Sequence, residues 1–141
     1  MVDRDVATAK ISTLERCLSR IQTALSQAGL SDLDRDDITA LNLVRAIQAA
    51  MDLATHIIST EGYGVPSTAA ESFRLLGERG TISKSLAERL VKMVGFRNIS
   101  IHDYRKVDPA IVQSIITGRL GDLREFVAHV IDAFGLSPYA G

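Results

Sequence analysis

The sequence predicts an all-α protein, an antiparallel bundle of about five helices forming one domain over residues 1–141. Three observations carry that prediction. Apolar residues recur at alternating steps of three and four along most of the chain, which turns one helical face toward a core. Aromatic residues make up only 5% and Trp is absent, so the interior must be built from Leu, Ile, Val and Ala. Such residues favour packed helices over a sandwich or barrel. The breaks between periodic stretches are short and carry helix caps, and no alternating strand pattern competes with them.

In the first stretch, Ala7, Ile11, Leu14, Leu18, Ile21, Leu25 and Ala28 form one stripe, and Gly29 is placed to end the helix. Cys17 lies beside the stripe and reads as a small hydrophobe. The acids between Ser31 and Asp37 suit the start of a second helix. That helix carries Ala40, Val44, Ile47, Met51, Ala54 and Ile58, widened by Leu43, Leu53 and Ile57. A helix apolar over so much of its circumference is expected to be central, or covered on one side by a partner chain. The run from Glu61 to Pro66 breaks it, and with no strand before them its two glycines do not make a nucleotide loop.

A short third helix opens on the capping-box spacing Thr68–Glu71, covers Phe73, Leu75 and Leu76, and closes at Gly80. The fourth begins between Ser83 and Ser85 and runs through Leu86, Leu90, Met93 and Val94 to Ile101. Asp108 and Pro109 supply an N-cap and a first-turn proline for the last helix. That helix uses Val112, Ile116, Leu123, Val127, Val130 and Phe134, with a kink expected at Gly118 and Gly121 and a stop at Gly135 and Pro138.

Composition narrows the class further. At 141 residues the chain can bury a core without staples, and 46% hydrophobic with 23% charged residues argues against disorder. The lone Cys17 allows neither an internal disulfide nor a zinc pattern. The charged start Met1–Asp5 is unlike a signal peptide, and no apolar run approaches the roughly 18 residues of a membrane span. A cytoplasmic protein with no membrane association is the expectation. Net charge is −1, yet residues 84–106 hold Lys84, Arg89, Lys92, Arg97, Arg105 and Lys106 against Glu88 and Asp103. A basic segment in an otherwise acidic chain can serve as a footprint for a phosphate backbone, with Lys92, Arg105 and Lys106 as candidate RNA contacts.

The chemistry concentrates in Arg97-Asn98-Ile99-Ser100-Ile101-His102-Asp103-Tyr104. Cleaving RNA without a metal needs a base for the ribose 2′-OH, an acid for the leaving 5′-oxygen and a fixed cation for the phosphorane. His102 can serve as acid or base, and Arg97 offers a planar fork of donors that matches phosphate. Asn98 can hydrogen-bond His102 or a substrate oxygen, and Tyr104 adds a donor and a stacking surface. On an unbroken helix Asn98 and His102 share a face, as do Arg97 and Tyr104. Arg97 and His102 are five apart and point roughly 140° away from each other. Either the helix distorts near Ser100, or two copies of the segment meet in a symmetric dimer, and the dimer is the expected answer.

This run resembles the R-x4-H-x-Y form of the HEPN ribonuclease motif, as found in HepT toxins. The resemblance extends to the Gly-Tyr-Gly-Val-Pro loop at residues 62–66, to Phe73, Leu76 and Gly80, to Met93 through Phe96, and to Tyr104 through Asp108. It implies a metal-independent homodimeric endoribonuclease without cofactor, with Arg97 and His102 catalytic, Asn98 supporting them, and RNA, not DNA, as substrate. It further implies a partner, a minimal nucleotidyltransferase antitoxin of the MntA kind, which silences the toxin by transferring AMP from ATP to Tyr104. An adduct there would set negative charge and bulk where the substrate phosphate should sit.

Outside this run, His56 and His129 read as structural, Asp52 and Glu61 as residues that can border a cleft, and Met51 and Met93 as core. The alternative function is a non-catalytic helical module that binds a nucleotidyltransferase, since fold alone does not decide between the two.

Overall fold

In the computed structural model, which describes residues 1–102 and 108–136, the chain is all-helical among the described residues. The helices are α1 (Arg4–Ser26), α2 (Asp32–Glu61), α3 (Ala69–Glu78), α4 (Lys84–His102), α5 (Pro109–Gly118) and α6 (Leu120–Phe134). The long last helix expected from the sequence is two. Gly118 ends α5, Arg119 leaves helical geometry at φ −126°, and its N–H bonds the Ile115 carbonyl before α6 begins. Glycine is a poor helix former, and so the kink expected at Gly118 becomes a break.

α2 is central, as its wide apolar stripe predicts. It packs against α1 along its length and also meets α3, α4 and α6. Leu43, Ile47, Leu53, Ile57 and Ile58 are each fully buried. α1 turns Ala7, Ile11, Leu14, Leu18 and Ile21 inward, with Cys17 in the same face. Its end differs from expectation: the helix stops at Ser26, three residues before Gly29. Arg35 in the first turn of α2 does the capping, donating from Nε to the Ala24 carbonyl at 3.1 Å and from Nη2 to that of Gln27 at 3.3 Å. A cation on orphaned carbonyls at a helix C-terminus is favourable both as donor and as charge.

α3 and α4 form a tight hairpin. A Cβ added at Gly77 would lie 3.1 Å from the Ala87 Cβ, so glycine is what lets these helices approach. Thr68 caps α3 through the Glu71 N–H, but Glu71 turns back to the N–H and hydroxyl of Ser67 instead of completing the box at Thr68. Ser83 caps α4 through the Leu86 N–H, while Glu88 pairs with Arg74 of α3 at 3.1 Å. Phe73 of α3 meets Phe126 of α6 edge-on, with ring centroids 5.5 Å apart, and joins the hairpin to the last helix. Asp108 and Pro109 open α5 as the sequence predicts, and Gly135 closes α6 with φ +63°. Pro138 lies outside the described residues. Among the described residues no helix is long and apolar enough to cross a membrane.

Candidate active site

α4 is one continuous helix through His102, and its inner face fixes what its outer faces present. Met93, Val94, Phe96 and Ser100 are buried, and the Ser100 hydroxyl donates to the Phe96 carbonyl at 3.0 Å, as serine does inside regular helices. No distortion near Ser100 swings the flanking side chains together. Arg97 is half-buried against α2, whereas Asn98, Ile99 and His102 are exposed. At 3.6 residues per turn, Arg97 and His102 therefore stay roughly 140° apart on one chain.

The setting of Arg97 is distinctive in its charge. Its Nη1 donates to the Asn98 side-chain oxygen at 3.0 Å and its Nη2 to the side-chain oxygen of Gln48 on α2. Its Nε is buried and has no hydrogen-bond partner among the described residues. Both holding groups are neutral amides, so the guanidinium is oriented and no carboxylate among the described residues compensates its charge. Gln48 is in turn fixed by its own amide, which donates to Asp52 one turn on at 2.8 Å, and Asp52 pairs with Lys10 of α1 at 3.1 Å. Three helices thus converge on the aim of one side chain.

The structure gives Asn98 a different partner from those expected, since its oxygen accepts from Arg97. Tyr104, Arg105 and Lys106 lie outside the described residues. Lys92 is five residues from Arg97 and faces elsewhere, lining a cavity of about 550 Å³ between α4 and α5 with Arg89, Phe96, Ile99, Ile111 and Arg119. Arg89 is engaged with the buried Asp122 and with Glu125 of α6, so the basic segment is not one free face. His56 is structural, accepting from the Asp3 N–H at 3.1 Å, and Glu61 accepts from the Val2 N–H. His129 sits half-exposed beside Glu125 at 3.6 Å. Gln48, which accepts from Arg97, is the candidate site residue that sequence reasoning missed. Its signal is an i, i+4 pair of polar residues, Gln48 and Asp52, on the side of α2 away from its apolar stripe.

A model of the family described as Ribonuclease HepT-like matches residues 12–130. The chain belongs to the HepT-like ribonuclease family. Among HepT-like relatives, the mRNA nuclease HepT of Shewanella oneidensis is 35% identical over 125 residues, covering 87% of this chain and 94% of that one. The tRNA nuclease HepT of Aphanizomenon flos-aquae is 34% identical and covers 72% of this chain and 69% of its own. A solved structure of the tri-AMPylated Shewanella oneidensis HEPN toxin in complex with its MNT antitoxin superposes with a TM-score of 0.84 at 34% identity, covering 91% of this chain and 98% of the toxin. The HepT-like fold also matches the cytosolic Bacillus subtilis protein YutE, with a TM-score of 0.84 at only 15% identity. The family expected from the Arg97–Tyr104 run and its surroundings is the family found.

Proposed function

We propose that this HepT-like chain is the toxin of a toxin–antitoxin pair, a metal-independent endoribonuclease that uses Arg97 and His102 from two copies around one cleft. The observation that carries this reading is the hold on Arg97. A structural arginine is normally neutralised by a carboxylate, whereas this one is aimed by the amide oxygens of Gln48 and Asn98. Its unspent charge suits a phosphate whose negative charge grows in the transition state.

The chemistry is a transesterification. One His102 imidazole takes the proton of the ribose 2′-OH as that oxygen attacks the phosphorus. The second His102 gives a proton to the departing 5′-oxygen, leaving a 2′,3′-cyclic phosphate and a 5′-hydroxyl. Arg97 holds the non-bridging oxygens throughout. Because α4 is unbroken, one chain points Arg97 and His102 apart, and a two-fold pairing of α4 helices supplies the missing convergence.

Control falls to Tyr104, two residues beyond His102. An MntA-like nucleotidyltransferase transfers AMP from ATP to its hydroxyl, with pyrophosphate leaving, and the adduct's phosphate takes up Arg97. The solved complex of the tri-AMPylated Shewanella oneidensis toxin with its MNT antitoxin supports this reading through the family relation.

The test is RNA cleavage by the purified wild type beside Arg97→Ala and His102→Ala, with EDTA present. Wild type should cut, and both variants should lose at least ~100-fold in rate, as expected when an oriented charge or a proton-transfer group is removed. Equal activity in all three would sink the catalytic assignment and favour a non-catalytic binding module. Intact mass after incubation with the cognate antitoxin, ATP and Mg²⁺ should show AMP additions that vanish in Tyr104→Phe.

A further inference from the structure

Beside the Arg97 site, the outer groove between α1 and α2 holds a cavity of about 370 Å³ that the proposed chemistry does not use. Its walls are of three kinds. Arg20 of α1 and Arg45 of α2 supply charge, Ala24, Ile38 and Leu41 supply apolar surface, and Asn42 and Gln27 supply amides. Leu41 is half-exposed, unusual for a leucine so near the core.

The charge in this groove is free. Among the described residues neither Arg20 nor Arg45 has an ion-pair partner. Arg16 belongs to the same cluster. Burial pushes the Cys17 thiol beneath it upward, while Arg45, Arg16 and Arg20 pull it back, so all three cations act on one spot. Asn42 is 4% exposed, and its side-chain oxygen has no hydrogen-bond partner among the described residues. A buried amide oxygen left unpaired is costly unless something donates to it.

Position links the groove to Arg97. Arg45 lies three residues before Gln48 on the outer side of α2, next to the Gln48–Asp52 pair, while Asn42, three residues further back, lines the groove from a buried position. Asn42 and Gln48 are separated by about 9 Å along the helix axis at 1.5 Å per residue. Two to three stacked nucleotides at ~3.4 Å each span that distance.

We infer that the α1/α2 groove is a subsite for the RNA strand flanking the scissile phosphate, with Arg20 and Arg45 on the backbone and a base against Leu41 and Asn42. The inference rests on the proposed ribonuclease function. Guanidinium forks match phosphate, the apolar wall offers a face for a base, and Arg45 of the groove lies one helical turn from Gln48, which holds Arg97. It explains why cations that serve no internal carboxylate are gathered on two helices of an acidic protein.

The experiment measures binding of a fluorescein-labelled single-stranded 12-mer RNA by anisotropy across salt concentrations. His102→Ala protein is compared with the same protein carrying Arg20→Ala and Arg45→Ala. Both arginines are exposed, so the fold should survive, which a melting curve checks. Affinity should fall about tenfold, and the slope of log K against log salt should shrink by about 1.4, roughly 0.7 for each phosphate of the single strand that is no longer neutralised. Arg→Lys at both positions should restore the slope. Unchanged affinity and slope would overturn the subsite. So would a variant that loses ATP or antitoxin binding while RNA binding stays the same, since the groove would then serve a free nucleotide or an acidic protein surface. Failure of wild type to cut RNA at all would instead strike the parent reading, because cleavage is scored separately from this binding assay.

Discussion

Arg89 and Arg97 sit two turns apart on α4 and live in opposite electrostatic settings. Arg89 reaches α6, where it meets the buried carboxylate of Asp122 and the more exposed Glu125. Arg97 reaches α2, and among the described residues it donates to the neutral oxygens of Gln48 there and of Asn98 beside it on α4. The first arrangement ties two helices together and leaves little field for anything else. The second fixes a direction and keeps the charge. On the proposed function, two arginines on one helix can thus be sorted into fastener and reagent by asking what kind of oxygen each one faces.

The largest expected effect separates them outright. Arg97→Ala should abolish RNA cleavage while moving the melting temperature little, because it removes no carboxylate partner among the described residues. Arg89→Ala should do the reverse. It strands the Asp122 carboxylate, whose side chain is 7% exposed, and should cost about 3 kcal/mol, near the lower end for breaking a buried pair because Arg89 is itself 30% exposed. Activity per folded molecule should hold. Chemical denaturation and single-turnover cleavage on both variants decide the matter, and a stability loss confined to Arg97→Ala would undo the distinction.

Gln48→Glu converts the reagent into a fastener. The new carboxylate would face Arg97 at the position of the present amide oxygen and compete with substrate phosphate. We expect cleavage to fall about tenfold, equivalent to ~1.4 kcal/mol, chiefly through a raised KM, with stability unchanged or improved. Gln48→Ala should lower kcat as well, since Arg97 then loses its aim. If Gln48→Glu cleaves as fast as wild type, the neutrality of the hold is irrelevant.

Asp52→Asn tests the next link outward. Its pair with Lys10 is well exposed on both sides, so the variant should lose no more than ~1 kcal/mol of stability and about twofold in cleavage. A loss as large as that from Gln48→Ala would mean that the relay acts through charge and not through position.

Glu71 is the mirror image of Arg97, an anion held by neutral groups. The Ser67 hydroxyl and N–H both donate to it and hold its pKa below the usual carboxylate range. A lowered folded pKa contributes stability that is present above the unfolded pKa and lost as pH falls through the folded one. Melting curves of wild type should therefore fall more steeply with acid than those of Glu71→Gln, by a small margin at this exposed site. Parallel curves would show that the Ser67 contacts contribute nothing.

Much of this architecture is legible in the sequence because it is local. Periodicity places α1 to α4, and the caps at Thr68, Ser83 and Asp108 are short-range signals that a sequence displays directly. The count of helices slips at Gly118, where the choice between kink and break depends on how α5 and α6 pack. The end of α1 slips too, because Arg35 reaches back from the next helix and no C-terminal glycine is needed. Within the site, Arg97 and His102 stand out by type and spacing. Gln48 does not, since its role exists only once α2 and α4 are packed, and the Arg20–Arg45 pair is brought together only by antiparallel α1 and α2. A run of like charges in sequence is a poor guide to a charged surface: Arg89 is absorbed by α6, while Arg45, with no ion-pair partner among the described residues, comes from α2, whose carboxylates outnumber its cations.

The unbroken course of α4 through Ser100 has a consequence for dosage. On the proposed two-chain site, a lone copy is harmless by geometry, and the concentration of competent enzyme rises with the square of chain concentration while monomer predominates. Occasional leaky synthesis would then produce almost no cleavage, whereas a burst of expression would arm the population abruptly. A rigid helix that merely declines to bend sets a threshold without any sensor.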